Sequence, residues 1–186
     1  MNNKDFITTI GGRSFSPLSP SANDIDIDDI AHALSLICRA NGHFKQFFSV
    51  ARHCINCADE AKSRGYSAHV QLLCLLHDAA EAYIGDMTRP LKRRLDYYCE
   101  CEAKLHTDIL AALGVDAPSA DENDKVRAID DCMLYHEFLL FNGQKLFEEA
   151  PPIHIEIEHS ERAFAETKAE YLKTYHELLS EVKQTC

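Results

Sequence analysis

The sequence predicts an all-α chain: a helical bundle of about six helices, with a small β-hairpin at its N-terminal end. Three observations carry that expectation. Apolar residues recur at helical spacing over long stretches from Ile27 onward. Glycine, proline and Asn-Gly breaks fall at a few points, notably Asn41-Gly42, Gly65, Gly85, Gly114, Pro118 and Pro151-Pro152. No internal repeat or low-complexity linker divides the 186 residues, so 1–186 reads as one domain.

Residues 6–16 place β-branched and aromatic side chains on both sides of Gly11-Gly12, the pattern of a short hairpin. Pro17 and Pro20 follow in a loop, which makes 1–20 an arm. Asp24, Asp26 and Asp28 supply cap and first-turn carboxylates for a helix over 27–39, whose amide end favours negative charge. Asn41-Gly42 ends it. A second helix is expected from Lys45 to Arg64, closed by Gly65. The third, Ala68 to Ile84, is apolar on most of its surface and therefore central, and Gly85 stops it. Pro90 opens a fourth that ends near Gly114, and Ser119 or Asp121 caps a fifth reaching Phe141. After Pro151-Pro152, Ile153-His-Ile-Glu-Ile alternates like a short strand, and a last helix covers 158–183. The helical core is thus placed in 24–142 and the C-terminal helix within 158–185.

Thirty acidic against nineteen basic residues give a formal charge of −11. That excess excludes a dedicated binder of nucleic-acid polymers, though not a small anionic substrate, because a few local cations or one metal can dominate a pocket. A hydrophobic fraction of 46% and a charged fraction of 26% are those of a globular chain rather than a disordered one. The most apolar run, Ala68 to Leu76, stops at His77-Asp78, short of the ~18–20 residues a membrane span needs. Met1-Asn-Asn-Lys-Asp-Phe lacks the layout of a secretory signal, so a cytoplasmic protein with eight reduced cysteines and no membrane partner is expected. The amphipathic tail Glu158–Val182 suits a homodimer interface, with docking onto its own domain as the default.

Chemistry concentrates at His53, His77-Asp78 and Asp130. Imidazole nitrogens and carboxylate oxygens are the ligands of a borderline divalent metal with open positions. Glu81 follows Asp78 by three residues and His77 by four, so on a continuous helix all three share one face. A carboxylate there can act as general acid or base toward a water at the ion. The plainer alternatives stay open at this point: a lone helical histidine is usually a satisfied core residue, and Asp130-Asp131 can form a solvated face. Against them, His77-Asp78 interrupts the most apolar helix, where unpartnered polar side chains are costly. Cys54-x-x-Cys57 invites a zinc or redox reading. It lies within a predicted helix, and Cys99-x-Cys101 has the wrong spacing to complete a paired site, which favours thiols packed as small hydrophobes.

The H…HD…D order of these residues resembles that of the HD-domain metal-dependent phosphohydrolases. The likeness extends through Gly12-Arg13-Ser-Phe15, Asp29-Ile-Ala-His-Ala-Leu-Ser-Leu-Ile-Cys-Arg39, Gly42-His43, Phe47-Phe-Ser-Val-Ala-Arg-His53, the run from Leu76 to Lys92, and Val126-Arg-Ala-Ile-Asp130. These segments, within residues 11–140, are similar to the compact branch akin to 5′-deoxynucleotidases and phage-type deoxyadenosine triphosphate triphosphohydrolases. The resemblance implies an all-helical fold and one divalent ion (Mn, Co, Mg, Fe, Ni or Zn) held by His53, His77, Asp78 and Asp130. The Val-x-x-x-Asp spacing selects Asp130 over Asp131.

It further implies that Glu81 handles the proton and that Asp86 positions the sugar and its phosphate end. The expected activity is hydrolysis of a small (deoxy)nucleotide. A monophosphate would give nucleoside and phosphate; a triphosphate attacked at its α-phosphorus would release tripolyphosphate. A nucleotide sensor without turnover is the alternative, and a purely structural helical module is a third reading. Arg13, Arg39, Lys45 and Lys92 lie in matched segments and are expected on phosphate, with Arg93 and Arg94 on a solvated face. Phe15 can equally stack on a base or plug the core. The sequence departs from this branch at Ala40, where an aromatic residue commonly follows the arginine.

Overall fold

In the computed structural model, which describes residues 5–185, the most apolar stretch of the chain is also its centre. Helix α3 (Ala68–Leu76) buries Leu72, Leu73, Leu75 and Leu76 and packs against α2 (Val50–Ser63), α7 (Ala120–Asn142) and α8 (Phe164–Thr185). Around them lie α1 (Ile27–Leu36), the one-turn helices α4 (Glu81–Ile84) and α5 (Arg89–Lys92), and α6 (Asp96–Ala112). The architecture is mostly helical, as predicted, with one two-stranded antiparallel sheet, β1 (Ile7–Thr8) and β2 (Ser14–Phe15). Residues 1–4 and Cys186, including most of the N-terminal segment read for a signal, lie outside the described residues. Among the described residues no helix is long and apolar enough to cross a membrane, and Cys38, Cys54, Cys57, Cys74, Cys99, Cys101 and Cys132 are free thiols.

Caps set several of the starts. The Asp26 carboxylate accepts from the Asp28 amide, Ser49 from Arg52, and Ser67 from Val70; Ser119 and Glu122 form a reciprocal capping box. The tail takes its default role. Tyr171, Tyr175 and Leu178 of α8 are buried in the main core, and the Tyr171 hydroxyl donates to the Leu75 carbonyl at 2.9 Å.

Several predicted elements are cut differently, each for a local reason. The first helix ends at Leu36 rather than 39, because Ile37 and Cys38 turn extended and bridge back to the chain before α2. There the Val50 amide donates to Ile37 and the Arg39 amide to Phe48. Ala40, Asn41 and Gly42 are left-handed, with φ of 52°, 50° and 75°, and make the turn of this loop. The second helix accordingly starts at Val50, not Lys45. The predicted third helix divides at 77–80, where bonds tighten to three-residue spacing (Ala79 to Leu76, Glu81 to Asp78) and the His77 ring Nδ1–H donates to the Cys74 carbonyl at 2.8 Å. The fourth divides into α5 and α6 at Leu95, which leaves helical geometry; the Tyr98 hydroxyl of α6 donates to Gly85.

The expected strand at Ile153–Ile157 does not form. The segment crosses α2, and helix side chains do what a neighbouring strand would. Glu60, fully buried, accepts from the backbone amides of His154 (2.9 Å) and Ile155 (3.2 Å), from the His154 ring and from Arg64. Arg64 also donates to the Pro152 carbonyl, and Ile157 is buried in a second core cluster with Ile129, Cys132 and Met133. The last helix therefore begins at Phe164 instead of 158, since the Glu158 carbonyl is committed to Arg52 and Asn56 of α2.

Glu60→Ala would leave two amides without their acceptor and deprive a mostly buried guanidinium of its carboxylate, and is expected to cost about 3 kcal/mol in urea unfolding. Burial pushes the Glu60 carboxyl up, but hydrogen bonds from His154 and Arg64 outweigh it and leave it below its ordinary value. This stabilisation is therefore present above about pH 4.3 and is lost as the pH falls through the lowered folded value. An unchanged urea midpoint for the variant at pH 7 would contradict it.

The arm corrects two substrate-contact expectations. Phe15 has no exposed surface and stacks on Tyr83 with ring centroids 3.8 Å apart, so it plugs the core and cannot meet a base. Arg13 is drawn onto α1 by Asp26 and by Asp29 at 3.0 Å, and Asp29 also accepts from the Gly11 amide. Arg13 thus fastens the hairpin to the bundle.

Candidate metal centre

Three helices deliver the four expected ligands to one point. His53 sits in the first turn of α2, His77 and Asp78 in the tight turn after α3, and Asp130 midway along α7. His53 Nε2 lies 3.3 Å from His77 Nε2, 3.2 Å from Asp130 Oδ1 and 3.8 Å from Asp78 Oδ2. His77 Nε2 lies 3.2 Å from Asp78 Oδ2 and 3.8 Å from Asp130 Oδ1. Two atoms bound to one ion at about 2.0–2.2 Å, and about 90–110° apart, are separated by about 2.8–3.6 Å. The observed spacings fall within or just beyond that span.

His53, His77 and Asp130 are also held from behind, as metal ligands commonly are. Glu137 meets His53 Nδ1 at 2.7 Å and the Cys74 carbonyl meets His77 Nδ1 at 2.8 Å. Arg89 donates to Asp130 Oδ2 at 2.7 Å while Asp131 braces it, and Arg39 faces the cluster's own oxygens, Asp78 Oδ2 at 3.4 Å and Asp130 Oδ1 at 3.7 Å. Asp131 therefore stands behind Asp130, outside the cluster.

The electrostatics follow from crowding acids and imidazoles in a buried place. Burial opposes charge on His77, but Asp78, with Cys54 and Asp130 adding to its effect, holds the ring well above its usual value. Burial likewise disfavours the Asp78 and Asp130 anions, yet the two histidines drive both carboxyls down, with Arg39 adding to the effect on Asp78. Glu81 behaves oppositely. Burial, then Asp78 and Asp86, push it up to about 10, so it carries its proton at neutral pH. It is 5% exposed, and its Oε2 has no hydrogen-bond partner. Asp86 is raised too, chiefly by burial.

His53, Cys57 and His77, and also Cys54, His77 and Asp78, form groups able to hold a metal ion. Cys57 Sγ, however, is 3.5 Å from Nε2 and 4.0 Å from Nδ1 of His53, so it sits beside the ring and not beyond Nε2 where an ion would lie. Burial also pushes the Cys54 thiol up to about 11 and Cys57 well above its ordinary value, away from the thiolate that binds metals. The imidazole and carboxylate atoms fit a divalent ion better.

Next to the four atoms opens a cavity of about 570 Å³. Its lining includes the acids Asp78, Glu81, Asp86 and Asp130 and the cations Arg39, Arg89, Lys92 and Arg93. Ala40, Phe44, Leu134, Phe138 and Phe147 add apolar surface. Of the expected phosphate contacts, Arg39 is buried at the centre and Lys92 lines the cavity, paired with Glu102. Arg13 and Lys45 are not among the lining residues, and Lys45 is exposed on the loop before α2. Arg93 and Arg94 are exposed, as expected, and Arg93 also lines the cavity. Sequence reasoning missed Glu137 entirely. Its signal was an acid seven residues, two helical turns, after Asp130 in an otherwise apolar stripe.

No protein-family model matches the chain. Over 110 residues it is 39% identical to the uncharacterized protein YfdR of Escherichia coli (strain K12), a stretch that covers 59% of each chain. Over 114 residues it is 34% identical to an uncharacterized protein of Rhodobacter capsulatus, covering 58% of each. The match thus spans less than two thirds of either relative, and what the chain is similar to is two proteins whose names state no activity.

Proposed function

We propose that this chain is an HD-type, divalent-metal-dependent phosphohydrolase acting on small (deoxy)nucleotides in a reducing cytosol. The observation that carries the reading is the convergence of His53, His77, Asp78 and Asp130 beside a protonated Glu81, all opening on one cavity. That cavity is lined by both charged and apolar side chains, which suits a ligand with a phosphate end and a flat base. The free thiols fit a reducing compartment.

When bound by the four ligand residues, a divalent cation supplies Lewis-acid polarisation of a phosphoryl oxygen. The chain's own residues do the rest. Arg39 and Arg89 face the negative charge of the phosphoryl group, as arginines are shaped to do. Glu81 gives its proton to the departing oxygen and recovers one from the attacking water. Asp86 orients the sugar, and the edge-to-face pair Phe44 and Phe138 offers the base an apolar surface. The small side chain of Ala40 leaves room beside the sugar, so ribose and deoxyribose are both accommodated.

Product analysis tests this reading. Incubation with dAMP and dATP in the presence of Mn²⁺, Co²⁺ or Mg²⁺, followed by ion chromatography, is expected to show orthophosphate or tripolyphosphate. Nucleotide binding without either product would instead identify a sensor.

A further inference from the structure

Glu137 is a carboxylate with no exposed surface, and the metal and proton-transfer roles above leave it unused. It lies on α7 two turns beyond Asp130, so both acids point from one helix face toward α2. Its Oε1 is 2.7 Å from Nδ1 of His53, which is itself fully buried. Its Oε2 has no hydrogen-bond partner and faces Arg39 Nε at 3.6 Å. A neutral imidazole has one N–H, and a buried carboxylate beside an unprotonated nitrogen would set two acceptors against each other. The proton of His53 therefore belongs on Nδ1, which leaves the Nε2 lone pair facing His77 Nε2 and Asp130 Oδ1.

We propose that Glu137 is a positioning residue that fixes the tautomer and ring orientation of His53 so that Nε2 is presented to a divalent cation. Arg39 balances the charge of this carboxylate, which is why an anion can be kept in the core. An anionic partner also makes the opposite ring nitrogen a stronger donor than a neutral one would. The inference rests on the proposed reading of His53 as a ligand.

Calorimetric titration of the full chain with Mn²⁺ tests it. Glu137→Ala is expected to weaken Mn²⁺ binding about 10- to 100-fold. Glu137→Gln, which keeps an acceptor for the Nδ1 proton, is expected to recover most of that loss. A role in packing alone predicts no such recovery and no change in affinity for folded protein. Because Glu137→Ala can fail to fold, the wild-type chain supplies a second readout. Long-range ¹H–¹⁵N correlation spectra of its neutral His53 ring are expected to show the proton on Nδ1. A proton on Nε2, wild-type affinity in Glu137→Ala, or equal losses in both variants would overturn the proposal. Tight wild-type binding unmoved by either substitution overturns this inference alone. A wild-type chain that binds no Mn²⁺ overturns the reading of the site as well.

Discussion

Glu81→Gln is expected to lower phosphate release from a nucleotide about 10²- to 10⁴-fold while leaving divalent-metal affinity nearly unchanged. The two halves of that result have separate causes. Glu81 is buried against Asp78 and Asp86 and is pushed up to about 10, so at neutral pH it is already an uncharged acid. Glutamine has the same shape and charge. The substitution therefore adds no repulsion and leaves no hole, and the fold and the four-ligand cluster should persist. What the amide cannot do is give up a proton to a leaving oxygen. A steady-state assay on both proteins, with metal titrations alongside, separates the effects. A variant that turns over at the wild-type rate would remove Glu81 from the chemistry.

The second large effect is on stability. A cation held by acids and imidazoles that come within 3.2–3.8 Å only in the folded chain would stabilise the fold by mass action. At a thousand times the dissociation constant the gain is about 4 kcal/mol. In a chain of this size that corresponds to a rise in Tm of about 8–16 °C. His77→Gln removes one proposed ligand together with its contacts to Asp78 and Asp130, and is expected to lose most of that rise without unfolding the protein. Differential scanning calorimetry with Mn²⁺, Co²⁺ and Zn²⁺ reads both proteins directly. No rise in the wild type with any of the three would remove the metal from the account.

The parts of this site that were legible in the sequence are those whose meaning is local. His77-Asp78 stood out because two polar residues interrupt an apolar run, and His53 and Asp130 because the order of the motif includes them. Periodicity reports which face of an element is buried and is silent on what covers it. That is why Ile153–Ile157 read as a strand: its alternation is real, but its backbone partners are the carboxylate of Glu60 and other side chains of α2. The same limit misplaced Arg13 and Lys45, whose basic character is visible along the chain while their distance from the cavity is not. It also hid the break at 77–80, since the bond from the His77 ring to the Cys74 carbonyl depends on where that ring is drawn. Glu137 was missed because nothing in a one-dimensional pattern marks a buried acid as the support of a histidine 84 positions earlier.

The strap over α2 bears on how the molecule can be shortened. Every residue of the metal cluster, Glu137 included, precedes the end of α7 at Asn142. A fragment ending there would nonetheless strip Glu60, Arg64, Arg52 and Asn56 of the partners that the chain from Pro152 to Glu170 provides. The core surface that Tyr171, Tyr175 and Leu178 cover would then be opened to water beside the helix that carries His53. A shortened chain that is to keep the cluster in place has to retain the segment from Pro152 to the end of α8, although no residue of that segment belongs to the cluster.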